Sequence, residues 1–354
     1  MPASPEMTAA ESTLLPQPYL LFLGDITEFA YAKTAIGLRD WAGRRCVGEF
    51  SCEGAGVSTG LDFMRPAQAW DAGARAMVIG VANPGGVIPD SWLPALVEAL
   101  EAGLDLVCGL HTRLADIAPL REAAGRTGRR LVDVRQPPAN IPVGTGRRRS
   151  GKRLLTVGTD CALGKKYTAL ALTIAFRQRR LHVDFRATGQ TGILIAGGGM
   201  PVDAVVSDFA AGAAELLSPA APEDHWDVIE GQGSLFHPAY AGVSLALLHG
   251  SQPDVFVVCH EPGRTHVLGH PAFELPSIEE TIELTLRLGR RTNPAIRCAG
   301  VSLNTSKLAP AEATRLLASE SLRLGLPVAD PMRGGAAFER LVRACLDSHP
   351  GKTE

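Results

Sequence analysis

LLTVGTDCALGKKYTALAL, Leu154–Leu172, decides the fold of this chain. Arg153 to Val157 reads as a buried strand of apolar and β-branched residues. Gly158 opens a loop that closes on Gly164-Lys165, and the spacing from about Lys165 to Arg179 predicts a helix. Phosphate oxygens need converging backbone N–H groups, a helix N-terminus and a point cation, and a strand, a glycine loop and a lysine supply all three at this spacing. Gly158, Thr159, Asp160, Cys161, Ala162, Leu163, Gly164, Lys165, Lys166, Tyr167 and Thr168 are therefore the expected phosphate-binding residues. A standard loop of this kind has Ser or Thr directly after the lysine to ligate Mg²⁺. Lys166 stands there instead, and the nearest hydroxyl is Thr168. Cys161, near the helix N-terminus, is expected to favour its thiolate.

Further along, strand after strand ends in polar residues, and the carboxyl edge of a parallel sheet is where ligands bind. Asp227-Val-Ile-Glu230-Gly231-Gln232-Gly233-Ser234-Leu-Phe-His237 makes Glu230 a metal ligand or general base. His237 is a second proton-transfer candidate or a hydrogen-bonded loop histidine. Arg186-Ala-Thr188-Gly189-Gln190-Thr191 follows an expected strand at 184–187, and its hydroxyls and amide form a floor for a small polar substrate, joined by Gln232 and Ser234. Cys259-His260-Glu261-Pro262-Gly263-Arg264 follows another strand. Arg264 and Arg186 have the fork geometry of carboxylate clamps, and His260 is a substrate-binding candidate. His260, His266 and His270 invite a zinc reading, but no cysteine pair or H-E-x-x-H helix accompanies them, and no metal is assigned. Asn304 closes a strand at 296–303, either against a nucleobase or in a cap before the helix at Pro310.

Upstream, short apolar runs at 19–23, 45–50, 76–81, 104–108 and 130–134 alternate with helical stretches at 34–41 and 93–102. That alternation predicts parallel βαβ units in a doubly wound sheet. No G-x-G-x-x-G follows the first strand, so NAD binding has no support. The expected organisation is a disordered start at 1–17, a first domain at 18–140, a linker at 141–152 and the P-loop-like domain at 153–350. The basic run Arg147 to Arg149 with Lys152 and Arg153 reads as solvated linker. With 354 residues, two domains are the default. Lys plus Arg, 35, nearly balances Asp plus Glu, 37, which removes any global reason to expect nucleic acid. Seven scattered cysteines without a C-x-x-C pair point to a reducing, cytoplasmic compartment. No long apolar stretch suggests a membrane span, and the apolar helices are expected to supply a homo-oligomer interface.

GTDCALGKKYT with VIEGQGSL resembles the dethiobiotin synthetase branch of P-loop proteins. Over nearly the whole chain, VGTDCALGKKYTALAL, RATGQTGILIAGGG, VDAVVSDFAAGAAE, EGQGSLFHPAYAGVSLALLHG, VCHEPGR and LPVADPMRGG resemble a P-loop family catalogued as a domain of unknown function. Within that family the chain is similar to the DgcN type, the D-glutamate N-acetyltransferases. The resemblance implies an α/β chain of two domains, a Rossmann-like N-terminal parallel sheet and a P-loop NTPase-like C-terminal parallel sheet. It also implies acetyl-CoA as co-substrate, with the CoA phosphates on the loop from Gly158 to Lys166 and D-glutamate as acceptor. Proton transfer then falls to Glu230 or His237. Two alternatives stay open. One is a Mg·ATP-dependent ligase or kinase of the dethiobiotin synthetase kind, with Glu230 and Thr168 helping to hold Mg²⁺. The other is a nucleotide sensor without turnover.

Overall fold

The computed structural model describes residues 15–347; most of the start at 1–17 and the last residues up to 350 lie outside the described residues. The chain divides into two compact units, residues 1–138 with 190–204, and residues 139–189 with 205–354.

In the first unit, strands β1 (Tyr19–Phe22), β2 (Cys46–Phe50), β3 (Ala76–Ile79), β4 (Asp105–Cys108) and β5 (Leu131–Asp133) form one sheet in the order β2-β1-β3-β4-β5, and every pairing is parallel. All four residues of β1, and likewise of β3 and β4, are buried. Parallel strands covered on both faces read as continuous apolar runs for that reason. Helices α1 (Lys33–Ala42), α2 (Pro66–Asp71), α3 (Leu93–Glu101) and α4 (Ala118–Thr127) lie between the strands in sequence, and α6 (Gln190–Ala196) joins them from far along the chain. Three contacts hold α6 there: Tyr19 Oη donates to the Leu194 carbonyl at 3.3 Å, Arg45 Nη1 to that of Ile195 at 2.9 Å, and Thr34 shares a hydrogen bond with Thr191 at 3.2 Å.

The second unit carries β6 (Lys152–Gly158), β7 (Val183–Arg186), β8 (Trp226–Ile229), β9 (Val255–His260), β12 (Arg297–Leu303) and β13 (Val328–Ala329) in one parallel sheet, order β13-β12-β9-β6-β8-β7. The strand that precedes the glycine loop is thus central. Its neighbours β9 and β8 bring His260 and Glu230 to the same edge. β10 (His266–Val267) and β11 (His270–Glu274) form a separate antiparallel hairpin. The helices are α5 (Lys165–Gln178), α7 (Ser207–Leu217), α8 (Ala241–Ser251), α9 (Ile278–Gly289), α10 (Pro310–Leu324) and α11 (Gly335–Leu346). Leu154, Phe176, Trp226, Val228, Val255 and Val257 pack one core, with Phe176 edge-on to Trp226 at 5.3 Å. Each such side chain contributes about 1.5–3 kcal/mol through burial.

Only part of the basic run is solvated: Arg147 and Arg148 are exposed, but Arg149 and Arg153 are not. Arg153 is fully buried, and its guanidinium donates to the carbonyls of Ser150 at 2.8 Å and Pro219 at 3.0 Å. Arg149 donates to the Gly250 carbonyl at 2.7 Å, and burial pushes it down to about 10. The N–H groups of Thr145 and Gly146 rest on the Glu215 carboxylate at 2.9 and 2.7 Å. Unmatched carbonyls at the start of the sheet need donors, and long arginines reach them. Composition alone does not reveal that demand.

Candidate functional site

The loop between β6 and α5 turns on Ala162 and Gly164, both in the left-handed region at φ 55° and 105°. Gly164 immediately precedes α5, where glycine carries no Cβ penalty. The first four N–H groups of a helix have no intrahelical acceptor, so the start of α5 presents donors and a positive dipole end to the loop. Lys165 is buried and its Nζ donates to the Asp160 carbonyl at 2.6 Å. Burial lowers its ammonium pKa. Leu163 anchors the loop in the core, and the Lys166 ammonium lies over the Tyr167 ring at 5.0 Å.

Asp160 organises this loop from inside. Its carboxylate is completely buried. Oδ1 accepts the Cys161 N–H at 2.6 Å, while Oδ2 accepts Arg264 Nη1 at 2.9 Å and the Leu268 N–H of the hairpin at 2.8 Å. Arg264 also donates to the Cys161 carbonyl at 2.8 Å and to Glu261. Arg264 thus braces the loop internally, although the sequence suggested a substrate clamp. Arg186, also suggested as a clamp, is held by carboxylates of its own and the neighbouring strand: its Nε donates to Asp227 at 2.7 Å and its Nη2 pairs with Asp184 at 3.1 Å. For Cys161, burial outweighs the nearby Lys165 and raises the thiol pKa, so the expected thiolate is disfavoured.

Glu230 and His237, the two expected proton-transfer groups, differ in their surroundings. Glu230 is buried just past β8, with Oε2 accepting the N–H groups of Thr188 at 3.0 Å and Gly189 at 3.2 Å. Gln232 Nε2 donates to the Thr188 carbonyl at 2.5 Å, which fixes the neighbouring backbone. Ser234 is buried and accepts the Phe236 N–H. Gly231 lies so close to β6 that an added Cβ would fall 1.6 Å from the Thr156 carbonyl oxygen. Only glycine permits this approach, and it sets where Glu230 sits.

His237 is also buried, but its Nδ1 accepts the N–H groups of Ala239 and Tyr240 at 3.1 and 3.2 Å. In a neutral ring the proton is then on Nε2, 3.8 Å from Asp160 Oδ1. Burial pushes His237 down despite the Asp160 charge. The ring is therefore a donor, with no free lone pair to take a proton. Asp160, Cys161 and His237 do place ligand atoms within 4.8 Å of one another, as do Asp184, His225 and Asp227, but Arg264 and Arg186 already serve the two aspartate sets.

Thr159 and His260 share a hydrogen bond at 3.0 Å between Oγ1 and Nδ1, joining the loop to the end of β9. Asn304 follows β12 and accepts the Ser306 N–H through its side chain, as a local turn. Thr168 is buried, sharing a 2.8 Å bond with Ser302 Oγ and accepting from Cys259 Sγ at 3.5 Å. Gln190 and Thr191, expected on the substrate floor, belong to the first unit, where Gln190 Oε1 accepts Arg135 Nη2 at 2.5 Å. Sequence reasoning missed the role of Asp160; an acid inside a phosphate loop, with an arginine following a neighbouring strand, was the available sign.

Residues 142–342 match the family described as a domain of unknown function, DUF1611_C P-loop domain, and residues 44–137 match the DUF1611_N Rossmann-like domain. The chain is similar to a D-glutamate N-acetyltransferase from Tritonibacter scottomollicae, 50% identical over 94% of this chain and 99% of that protein. It is also similar to one from a Pseudoalteromonas species, 49% identical over 90% and 96%. A crystal structure of a DUF1611 family protein from Anabaena variabilis superposes with a TM-score of 0.84 at 34% identity, covering 93% of this chain and 99% of that one.

Proposed function

The chain belongs to the DUF1611 family, and from that premise we propose that it is a D-glutamate N-acetyltransferase that draws its acetyl group from acetyl-CoA. Support for the reaction comes from relatives about half identical over most of its length that carry that name. One observation supports the donor. The loop offers N–H groups and Lys165 to phosphate oxygens, yet the hydroxyl nearest the Mg²⁺-ligand position, Thr168, is held in the core by Ser302 and Cys259. A site of that kind suits a diphosphate that is gripped and never cleaved.

In this reading the CoA diphosphate rests on the N–H groups from Ala162 to Lys166, with Lys165 turning from the Asp160 carbonyl to the ligand. The D-glutamate amine attacks the thioester carbonyl, forming the C–N bond as the C–S bond breaks. Glu230 takes the amine proton and the CoA thiolate leaves. Its Oε2 is oriented by two N–H groups, which leaves the carboxylate, and not His237, as the acceptor of the pair. Thr188 and Gln232 shape the acceptor side beside it. With Arg186 and Arg264 bound to internal carboxylates, neither arginine is the clamp for D-glutamate. The protein is further proposed to act in the cytoplasm, in keeping with its seven free cysteines, and as a homo-oligomer, in keeping with exposed apolar side chains such as Leu322. Among the described residues no helix is long and apolar enough to cross a membrane.

The test is calorimetric titration with acetyl-CoA and with Mg·ATP, followed by a D-glutamate acetylation assay, each repeated on Lys165→Ala. Micromolar acetyl-CoA binding that disappears in the variant, with N-acetyl-D-glutamate formed by the parent, is the expected result. Tight Mg·ATP binding with ADP release and no acetyl transfer would replace this reading with the ligase or kinase.

A further inference from the structure

Besides the loop, the carboxyl edge of the second sheet carries a cleft of about 580 Å³ between the ends of β9 and β12 and the helices α9 and α10. That volume lies within the range of about 300–1,000 Å³ typical of small-molecule sites. Pro262, Ile278, Leu303 and Leu316 give it apolar walls, and Glu279, Glu320 and Arg323 line it with charge. His260 belongs to both places, since it lines the cleft while its Nδ1 bonds to Thr159 of the loop at 3.0 Å. A ligand with phosphates on the loop therefore has this cleft on its β9 flank, opposite Glu230 on the β8 flank.

We propose that the cleft beside His260 binds the adenine nucleoside of the phosphate-bearing ligand, so that the acyl donor lies across the sheet edge with its base at His260 and its thioester end toward Glu230. The chemistry of the walls favours a purine. Flat apolar faces stack against Pro262, Leu303, Leu316 and the imidazole. The carboxylates leave the rim with two negative charges against one, because Arg323 donates to both Glu320 and Glu279. Such a rim suits an exocyclic amine that donates. Burial pushes His260 down in spite of Glu320 nearby, so the wall is a neutral aromatic ring at neutral pH. Because the assignment rests on the proposed function for the identity of the donor, the experiment separates the two.

Leu316→Trp fills the cleft from α10. The variant and the parent are assayed with acetyl-CoA and with acetyl-pantetheine, which has the same thioester and no nucleotide, and are titrated with ATP. The expected result is a KM for acetyl-CoA raised at least about tenfold, the scale of one lost base-stacking contact, with kcat and the use of acetyl-pantetheine unchanged. Adenosine 3′,5′-bisphosphate should compete with acetyl-CoA in the parent and lose that competition in the variant. An unchanged KM for acetyl-CoA, or an equal loss with acetyl-pantetheine, overturns the cleft assignment while the acetyltransferase stands. A parent that transfers no acetyl group, with ATP binding weakened by Leu316→Trp, overturns the donor and retains the cleft as an adenine site.

Discussion

Replacing Asp160 by Asn tests whether the phosphate loop is held by a buried ion pair. The carboxylate receives three donors, the Cys161 N–H on Oδ1 and Arg264 Nη1 with the Leu268 N–H on Oδ2. Asparagine keeps one acceptor oxygen and turns an NH₂ group toward the remaining donors. Leaving one buried donor unmatched costs about 1–3 kcal/mol, and removing one partner of a buried ion pair costs about 3–5 kcal/mol. Arg264 retains the Cys161 carbonyl and Glu261, which offsets part of that loss, so the expected destabilisation is about 3–4 kcal/mol. For a unit of roughly 200 residues this lowers Tm by about 6–16 °C, at 2–4 °C per kcal/mol. The KM for acetyl-CoA should rise with it, because the loop N–H groups lose their alignment. Thermal melts of Asp160→Asn, Arg264→Gln and the double variant decide the matter. The double variant should lose less than the two single losses combined by at least about 1 kcal/mol. A melt within about 2 °C of the parent, or strictly additive losses, would refute the idea that this pair shapes the loop.

Glu230→Gln keeps an acceptor for the Thr188 and Gly189 N–H groups but cannot take a proton at neutral pH. Turnover should fall about 10²–10⁴-fold with acetyl-CoA affinity unchanged by calorimetry, and full turnover would remove Glu230 from the mechanism. Gly231→Ala puts a methyl group 1.6 Å from the Thr156 carbonyl oxygen, and urea titration should show a loss of about 3 kcal/mol or more. Gly242→Ala in α8, where an added Cβ meets nothing within 4 Å, should instead be neutral or stabilising by up to about 1 kcal/mol. His237, faced by Asp160, His270 and Lys165, has its pKa lowered by burial. The unfolded chain therefore binds a proton near pH 6.5 that the native one refuses, so this contribution is complete above about pH 6.5 and fades as pH falls below it. Melts from pH 8 to 5 should show a shallower acid loss in His237→Asn than in the parent, and parallel curves would contradict that assignment.

Both parallel sheets were legible because their strands are buried on two faces and write themselves as unbroken apolar runs, as at Leu154 to Val157 and Val255 to Cys259. The loop was legible because glycine, lysine and helix onset are local features. Helix α9 was missed, though its Ser277 and Glu280 form the reciprocal cap that marks a helix start. The partners of polar side chains were not legible, since Arg186, Arg264 and Thr168 meet residues far away in sequence. An arginine at a strand end reads as a ligand clamp until Asp227 or Asp160 is seen beneath it. The histidines show the same limit. Spacing left His237 as either a proton-transfer group or a hydrogen-bonded loop histidine, and the two N–H groups that fill its lone pair, which match the second, come from a turn whose geometry no residue pattern reports.

Because residues 190–204 return to the first unit before the chain re-enters the second, the backbone crosses from one unit to the other three times. A single nick near residue 138 would divide the first unit between two polypeptides, with α6 held to the rest of its unit by noncovalent contacts alone, and a truncation that keeps only the first 138 residues would lose α6 together with the partners of Tyr19 and Arg45. Neither unit can be inherited or exchanged as one uninterrupted stretch of gene without breaking the other, so the two are bound to travel together.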